Sequence, residues 1–127
     1  MIKGTHHTAL IVSDYERSKA FYVDILGLTV VCETYRAERN SWKLDLALPD
    51  GTQIELFTFP DAPARPSYPE AQGLRHFAFR VGDVGEAVQS LEVRGVSCEP
   101  IRIDALTGKA FTFFADPDGL PLELYQD

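Results

Sequence analysis

The chain has 127 residues, 45% of them hydrophobic and 24% charged, a mix that suits one compact domain or two small fused halves and argues against disorder. With 12 Lys and Arg against 19 Asp and Glu the net charge is −7, so the chain lacks the cationic footprint that nucleic acid or an anionic membrane surface requires. No apolar run approaches the roughly 20 residues that span a bilayer, and the opening MIKGTHHTAL lacks the long apolar core of a signal peptide, so a cytoplasmic location is expected. Cys32 and Cys98 are too few for a disulfide scaffold and too far apart for a CxxC motif, which predicts buried, reduced thiols.

Along the chain, Thr5–Val12 is apolar and partly β-branched and reads as a strand. Ser13-Asp14 is an N-cap signal for a helix over Tyr15–Leu26, in which Ala20, Phe21 and Ile25 recur at helical spacing and which Gly27 closes. Leu28–Tyr35, Trp42–Leu48 and Gln53–Phe59 read as three strands, the last two joined by the turn chemistry of Pro49-Asp50-Gly51. Pro60, Pro63, Pro66 and Pro69 then recur every third residue, the polyproline II period, and predict a stiff spacer over 60–73 in preference to a docking site for a proline-recognition domain. Beyond it come a strand at Leu74–Val81, a helix near Val84–Arg94 closed by Gly95, and strands near Val96–Ile103, Lys109–Ala115 and Leu120–Tyr125, with Asp116-Pro117-Asp118-Gly119 as the final turn.

The order is βαβββ, twice, and the sequence repeats with it. His7-Thr8-Ala9-Leu10-Ile11-Val12-Ser13-Asp14 returns as His76-Phe77-Ala78-Phe79-Arg80-Val81-Gly82-Asp83, and Asp50-Gly51-Thr52-Gln53-Ile54-Glu55-Leu56 as Asp118-Gly119-Leu120-Pro121-Leu122-Glu123-Leu124. Two matches at nearly one offset and in one order indicate a tandem duplication. The expected fold is therefore α+β, a single domain over 1–127 built from module 1 (5–59), the proline-rich linker and module 2 (74–126).

Each module carries a histidine in its first strand and a glutamate in its last: His7 with Glu55, His76 with Glu123. Glutamate is depleted in strands, so a carboxylate between Ile54 and Leu56, or between Leu122 and Leu124, is locally anomalous. Strand alternation puts Glu55 on the face of Phe57 and Phe59, and His76 on the face of Ala78, away from the residues that suit packing under a helix. It also puts His6 on the face opposite His7. Taken singly, each of the four residues is more often a solvated or hydrogen-bonded strand residue than a ligand. Their recurrence at symmetric positions predicts instead a shared divalent-metal site of His7, Glu55, His76 and Glu123 with open positions for water or substrate.

The motifs His7-x-Ala9, Phe21-Tyr22, Leu26-Gly27, Ile54-Glu55-Leu56, His76-x-Ala78, Asp116-Pro117-Asp118-Gly119 and Leu122-Glu123-Leu124 resemble the vicinal-oxygen-chelate superfamily over essentially the whole chain. This is the fold family of glyoxalase I and the bleomycin-resistance proteins. The His-Glu-His-Glu order is similar to that of bacterial glyoxalase I, a lactoylglutathione lyase, and Ser41-Trp42-Lys43-x-Asp45-Leu46 with Arg75-His76-x-Ala78-Phe79 resembles a small glyoxalase-like branch. The resemblance implies an open, cup-shaped mixed β-sheet and one divalent ion per site, Ni or Zn ahead of Co, Mn or Fe. It also implies a homodimer, with a small-molecule substrate as the other partner. It implies a metal-dependent lyase or isomerase that moves a proton through a metal-chelated enediolate of an α-oxo or thiol-adduct substrate. Glu123 and Glu55 would be the catalytic acid–base pair, His7 and His76 structural ligands, and Trp42, Phe57, Phe59 and Phe111 the lining of the pocket. Where glutathione-using members hold their thiol through an arginine and an asparagine, this chain has Ile11 and Phe59, which argues against glutathione. The alternatives are another chemistry on the same chelate (an epimerase, an extradiol dioxygenase or a thiol-transferring resistance enzyme) and a non-catalytic drug-binding protein of the bleomycin-resistance type.

Overall fold

The structure is a computed structural model that describes residues 1–127. The chain divides into two compact units, Met1–Ala64 and Arg65–Asp127. In the first, β1 (His7–Ile11), helix α1 (Tyr15–Lys19), β2 (Thr29–Arg36), β3 (Ser41–Ala47) and β4 (Gln53–Phe57) form a mixed sheet in the order β1-β4-β3-β2. In the second, β5 (Phe77–Val81), helix α2 (Val84–Val93), β6 (Arg102–Ile103), β7 (Ala110–Ala115) and β8 (Pro121–Gln126) repeat it as β5-β8-β7-β6. The first and last strands of each unit pair in parallel and the remaining pairs are antiparallel, which is the α+β arrangement expected.

Period-2 alternation explains which face of each sheet is covered. Leu44, Leu46, Ile54 and Leu56 in the first unit and Leu122 in the second are fully buried, and Leu124 nearly so. Trp42 stacks on Tyr15 of α1 at 4.7 Å, and α2 packs on β7 and β8 through a face that includes buried Val84 and Leu91. Both helices start as the sequence predicts. Asp14 Oδ1 accepts the Arg17 amide at 3.1 Å and Asp83 Oδ1 the Glu86 amide at 2.9 Å.

Both predicted turns are present, and each is held by an aspartate. Asp50 Oδ1 accepts from the Thr52 amide and hydroxyl at 2.9 and 2.7 Å, and Asp116 Oδ1 from the Asp118 and Leu120 amides at 2.9 Å each. Gly51 and Gly119 sit at φ 87° and 81°, a conformation that an L side chain adopts only under strain.

Four expectations differ. The first helix is α-helical only to Lys19 and then widens to a π-helix over Ala20–Ile25, with the Leu26 amide reaching back five residues to the Phe21 carbonyl at 3.0 Å. The predicted strand at Val96–Ile103 shrinks to Arg102–Ile103. Pro100 has no N–H to pair, while the Glu99 carbonyl is taken by the Thr112 hydroxyl at 2.7 Å and its amide bonds the Phe113 carbonyl at 2.9 Å. The proline-rich segment is not one extended rod, since turns interrupt it at residues 60–61 and 67–70. Finally, both cysteines are free but neither is fully buried: Cys32 is exposed and Cys98 half-buried.

Candidate functional site

In the first unit β4 places Glu55 directly opposite Asp45 on β3 and Ala9 on β1, so His7, two residues before Ala9, shares its face. His7 Nδ1 lies 3.4 Å from Glu55 Oε2. The Glu55 side chain is only 11% exposed, set into the sheet between fully buried neighbours of the opposite face. In the second unit β8 places Glu123 opposite Phe113 on β7 and Ala78 on β5, and His76, two residues before Ala78, brings Nε2 to 2.9 Å from Glu123 Oε2. The His76 ring meets Phe113 edge-on at 5.1 Å, which fixes its plane against the sheet. An imidazole–carboxylate pair thus recurs in each unit, through Nδ1 of His7 in the first and Nε2 of His76 in the second.

The surroundings of the two pairs differ. Around Glu55 the face is polar: Lys43 Nζ lies 2.6 Å from Asp45 Oδ1 and 3.6 Å from Glu55 Oε1. The hydrogen bond that Lys43 donates to Asp45 outweighs desolvation and, helped by the Asp45 and Glu55 charges, holds the Lys43 ammonium above its usual range. Around Glu123 the corresponding positions are aromatic, with Phe111 stacked on Tyr125 at 6.3 Å and Phe113 against His76. The Arg102 guanidinium lies 4.9 Å from the Phe111 centroid and 5.7 Å from that of Phe113.

The predicted lining residues divide. Phe57 and Phe111 lie on the faces of Glu55 and Glu123, and Phe59, just past β4, stacks on Phe57 at 6.0 Å beneath the Arg36 guanidinium. Trp42 does not join them. Its neighbour Lys43 is the residue on the Glu55 face, so alternation turns the indole to the other side, against Tyr15 and Tyr35. His6 also departs from expectation. It precedes β1, so strand alternation does not bind it, and its Nδ1 lies 2.8 Å from His7 Nδ1. Lys43 and Asp45 were absent from the sequence-predicted set, yet Pro49-Asp50-Gly51 as a turn fixes the register that sets Asp45 across from Glu55.

The donor sets suit a divalent cation. Two ligands about 2.1 Å from one ion, at the angles of octahedral or tetrahedral geometry, stand roughly 3.0–3.4 Å apart, and the two nitrogen–oxygen separations are 2.9 and 3.4 Å. In the second pair it is His76 Nε2 that faces Glu123, while the Nδ1 of the same ring is buried without a hydrogen-bond partner. Nowhere does the chain gather three or more His, Cys, Asp or Glu side chains suited to holding a metal; what each unit supplies is a pair.

Comparison with known proteins agrees with this architecture. The profile of the Glyoxalase/Bleomycin resistance protein/Dioxygenase superfamily matches residues 4–124. The Bacillus subtilis protein YwkD is 61% identical over 99% of this chain and 98% of its own length. Escherichia coli YaeR is 60% identical over 98% and 97%. A glyoxalase family protein from Enterococcus faecalis, solved by crystallography, superposes with a TM-score of 0.90 at 50% identity over 97% of each chain. No helix is long and apolar enough to cross a membrane. In its duplicated βαβββ topology and its sequence, the chain belongs to the Glyoxalase/Bleomycin resistance protein/Dioxygenase superfamily.

Proposed function

We propose that the chain is a divalent-metal-dependent lyase or isomerase of the glyoxalase type, which moves a proton between adjacent carbons of a small α-oxo or thiol-adduct substrate without glutathione. The observation that carries this reading is the repeated imidazole–carboxylate pair, 3.4 Å for His7–Glu55 and 2.9 Å for His76–Glu123. These four residues are the metal ligands, one pair from each unit. A bound divalent cation supplies positive charge that acidifies a C–H beside a carbonyl and stabilises negative charge on neighbouring oxygens.

The protein's own groups do the rest. Glu123 is the base that takes the carbon-bound proton, since its side chain is 11% exposed and lies among apolar neighbours that favour proton transfer over solvation. Glu55, its counterpart, delivers to the adjacent carbon a proton drawn from solvent, and Glu123 releases its own to solvent, so that both end the cycle as carboxylates. His7 and His76 hold position, and the edge-on packing of Phe113 keeps the His76 ring from swinging. Ile11, 58% exposed at the end of β1, offers no charge to a glutamyl carboxylate, in keeping with a substrate other than a glutathione adduct.

The test is a panel of α-ketoaldehyde–thiol adducts and simple diols assayed in D2O with Ni, Co, Mn and Zn. Turnover with deuterium entering the product carbon is expected for at least one combination. Glu123→Gln is expected to retain metal and lose roughly 100-fold or more of the rate. Full turnover by Glu123→Gln, or no turnover with any metal across the panel, would refute the assignment.

A further inference from the structure

Beside the His76–Glu123 pair the second unit opens a cleft of about 250 Å³, lined by Ser67, Arg75, His76, Arg102 and Phe113 among others. We propose that this cleft is an oxyanion subsite in which Arg75, Arg102 and the Ser67 hydroxyl receive a carboxylate or phosphate group of the substrate. The proposal rests on the reading of His76 and Glu123 as the reacting end of the site, and adds to it that the substrate is a small anion.

The two arginines line the cleft with solvent-accessible side chains and only long ion pairs. Arg102 Nη2 lies 3.8 Å from Glu99 Oε1 and Arg75 Nη1 lies 4.0 Å from Glu70 Oε1, both beyond hydrogen-bond length. Each guanidinium carries five N–H donors in a planar fork that matches a carboxylate or phosphate edge. The Arg102 guanidinium lies over Phe111 and Phe113, beside the aromatic ring that His76 also touches, so cation–π attraction favours this orientation while the side chain stays 54% exposed. Ser67 is set to donate. Its Oγ accepts from Arg65 Nε at 2.7 Å, which leaves the hydroxyl proton for another acceptor. Arg65 Nη2 also donates to the Leu74 carbonyl at 3.0 Å and so ties down the segment between. On a chain of net charge −7 the cleft is a place of locally balanced charge, with two loosely paired guanidinium groups against the carboxylates of Glu70 and Glu99.

Glu70 and Glu99 line the same cleft, and their role separates this proposal from a merely structural one. If they are placeholders for a ligand anion, removing one strengthens binding while removing its arginine weakens it. The experiment titrates inorganic phosphate and, separately, malonate into the full chain after chelator treatment, at constant ionic strength with chloride as the balancing ion. At least one probe is expected to bind. Arg102→Gln should weaken it about tenfold or more, Arg102→Lys by less, and Glu99→Gln should tighten it several-fold, with thermal unfolding of each variant reporting that it is folded. Arg75→Gln repeats the test at the second arginine. Failure of both probes, or a shift of Arg102→Gln and Glu99→Gln in the same direction, overturns the subsite. A parallel nickel titration keeps the two readings apart: nickel binding without anion binding sinks only the subsite, and anion binding without nickel binding sinks only the metal reading.

Discussion

Lys43→Met gives a sharp test of how the Glu55 face is balanced. Asp45 and Glu55 stand directly opposite one another on antiparallel strands, where like charges repel, and the Lys43 ammonium lies 2.6 and 3.6 Å from their oxygens. At an effective dielectric near 20 the attraction to Glu55 alone is about 4–5 kcal/mol before desolvation is subtracted. Breaking a fully buried pair costs roughly 3–5 kcal/mol. These side chains retain 29%, 19% and 11% exposure for Lys43, Asp45 and Glu55, so a net loss of about 1–3 kcal/mol is expected. With an unfolding entropy of roughly 2.1 cal/mol/K per residue, about 0.27 kcal/mol/K for 127 residues, that loss lowers Tm by about 4–11 °C in chelator-treated protein. Two rescues should follow. Lys43→Met with Asp45→Asn removes one of the opposed charges and should recover most of the stability. A saturating divalent cation should raise Tm more in Lys43→Met than in the unsubstituted chain, because the ion takes over the neutralisation of Glu55. Thermal unfolding followed by circular dichroism measures all three. An unchanged Tm in Lys43→Met, or no recovery on adding Asp45→Asn, would refute the reasoning.

Trp42→Phe should cost about 1–2 kcal/mol of stability through lost packing on Tyr15 while leaving cation affinity unchanged, since the indole faces away from Glu55; parallel unfolding and metal titrations check both halves. The acid limb of stability should depend on Glu33, whose carboxyl is held below its usual range by a hydrogen bond from Lys19 at 2.8 Å and, next in size, one from the Tyr15 hydroxyl. A depressed carboxylate stabilises the fold above its unfolded value of 4.5, and that contribution is lost as pH falls through the lower folded value. Glu33→Gln should therefore flatten the fall of Tm below about pH 4.5, which a Tm series from pH 7 to 3 would record.

Much of this architecture was legible because short-range chemistry agrees with long-range pairing. The aspartate caps at Asp14 and Asp83 and the Asp-Gly turns at 50–51 and 118–119 mark element boundaries, and period-2 alternation then assigns each strand residue to a face. The turn at Pro49-Asp50-Gly51 also fixes the β3–β4 register that sets Asp45 across from Glu55, although Asp45 was not among the expected site residues. Trp42 misleads because an aromatic beside a candidate site invites a functional role, yet the same alternation that turns Lys43 toward Glu55 turns the indole toward α1. His6 misleads in another way: it precedes β1, and its ring turns edge-on to that of His7 at 5.1 Å. Less was legible where one residue vetoes a pattern. Pro100 ends the pairing of an otherwise strand-like stretch, and the widening of the first helix at Ala20 follows hydrogen bonds to Phe21 and Tyr22 carbonyls that no spacing announces. Sequence alone leaves Arg102 one of several arginines that could gather into an anion pocket, because its orientation depends on Phe111 and Phe113, which reach it only through β6–β7 pairing.

Cation stoichiometry bears most directly on the central claim, measured by calorimetric titration of nickel or zinc into chelator-treated protein and into His7→Ala and His76→Ala. One divalent ion per chain is expected, lost in either variant because each removes a nitrogen from the same ion. At about 100 times its dissociation constant that ion should add roughly 2.7 kcal/mol of stability, a Tm gain near 10 °C. Binding that survives both substitutions, or two ions each sensitive to only one histidine, would contradict it.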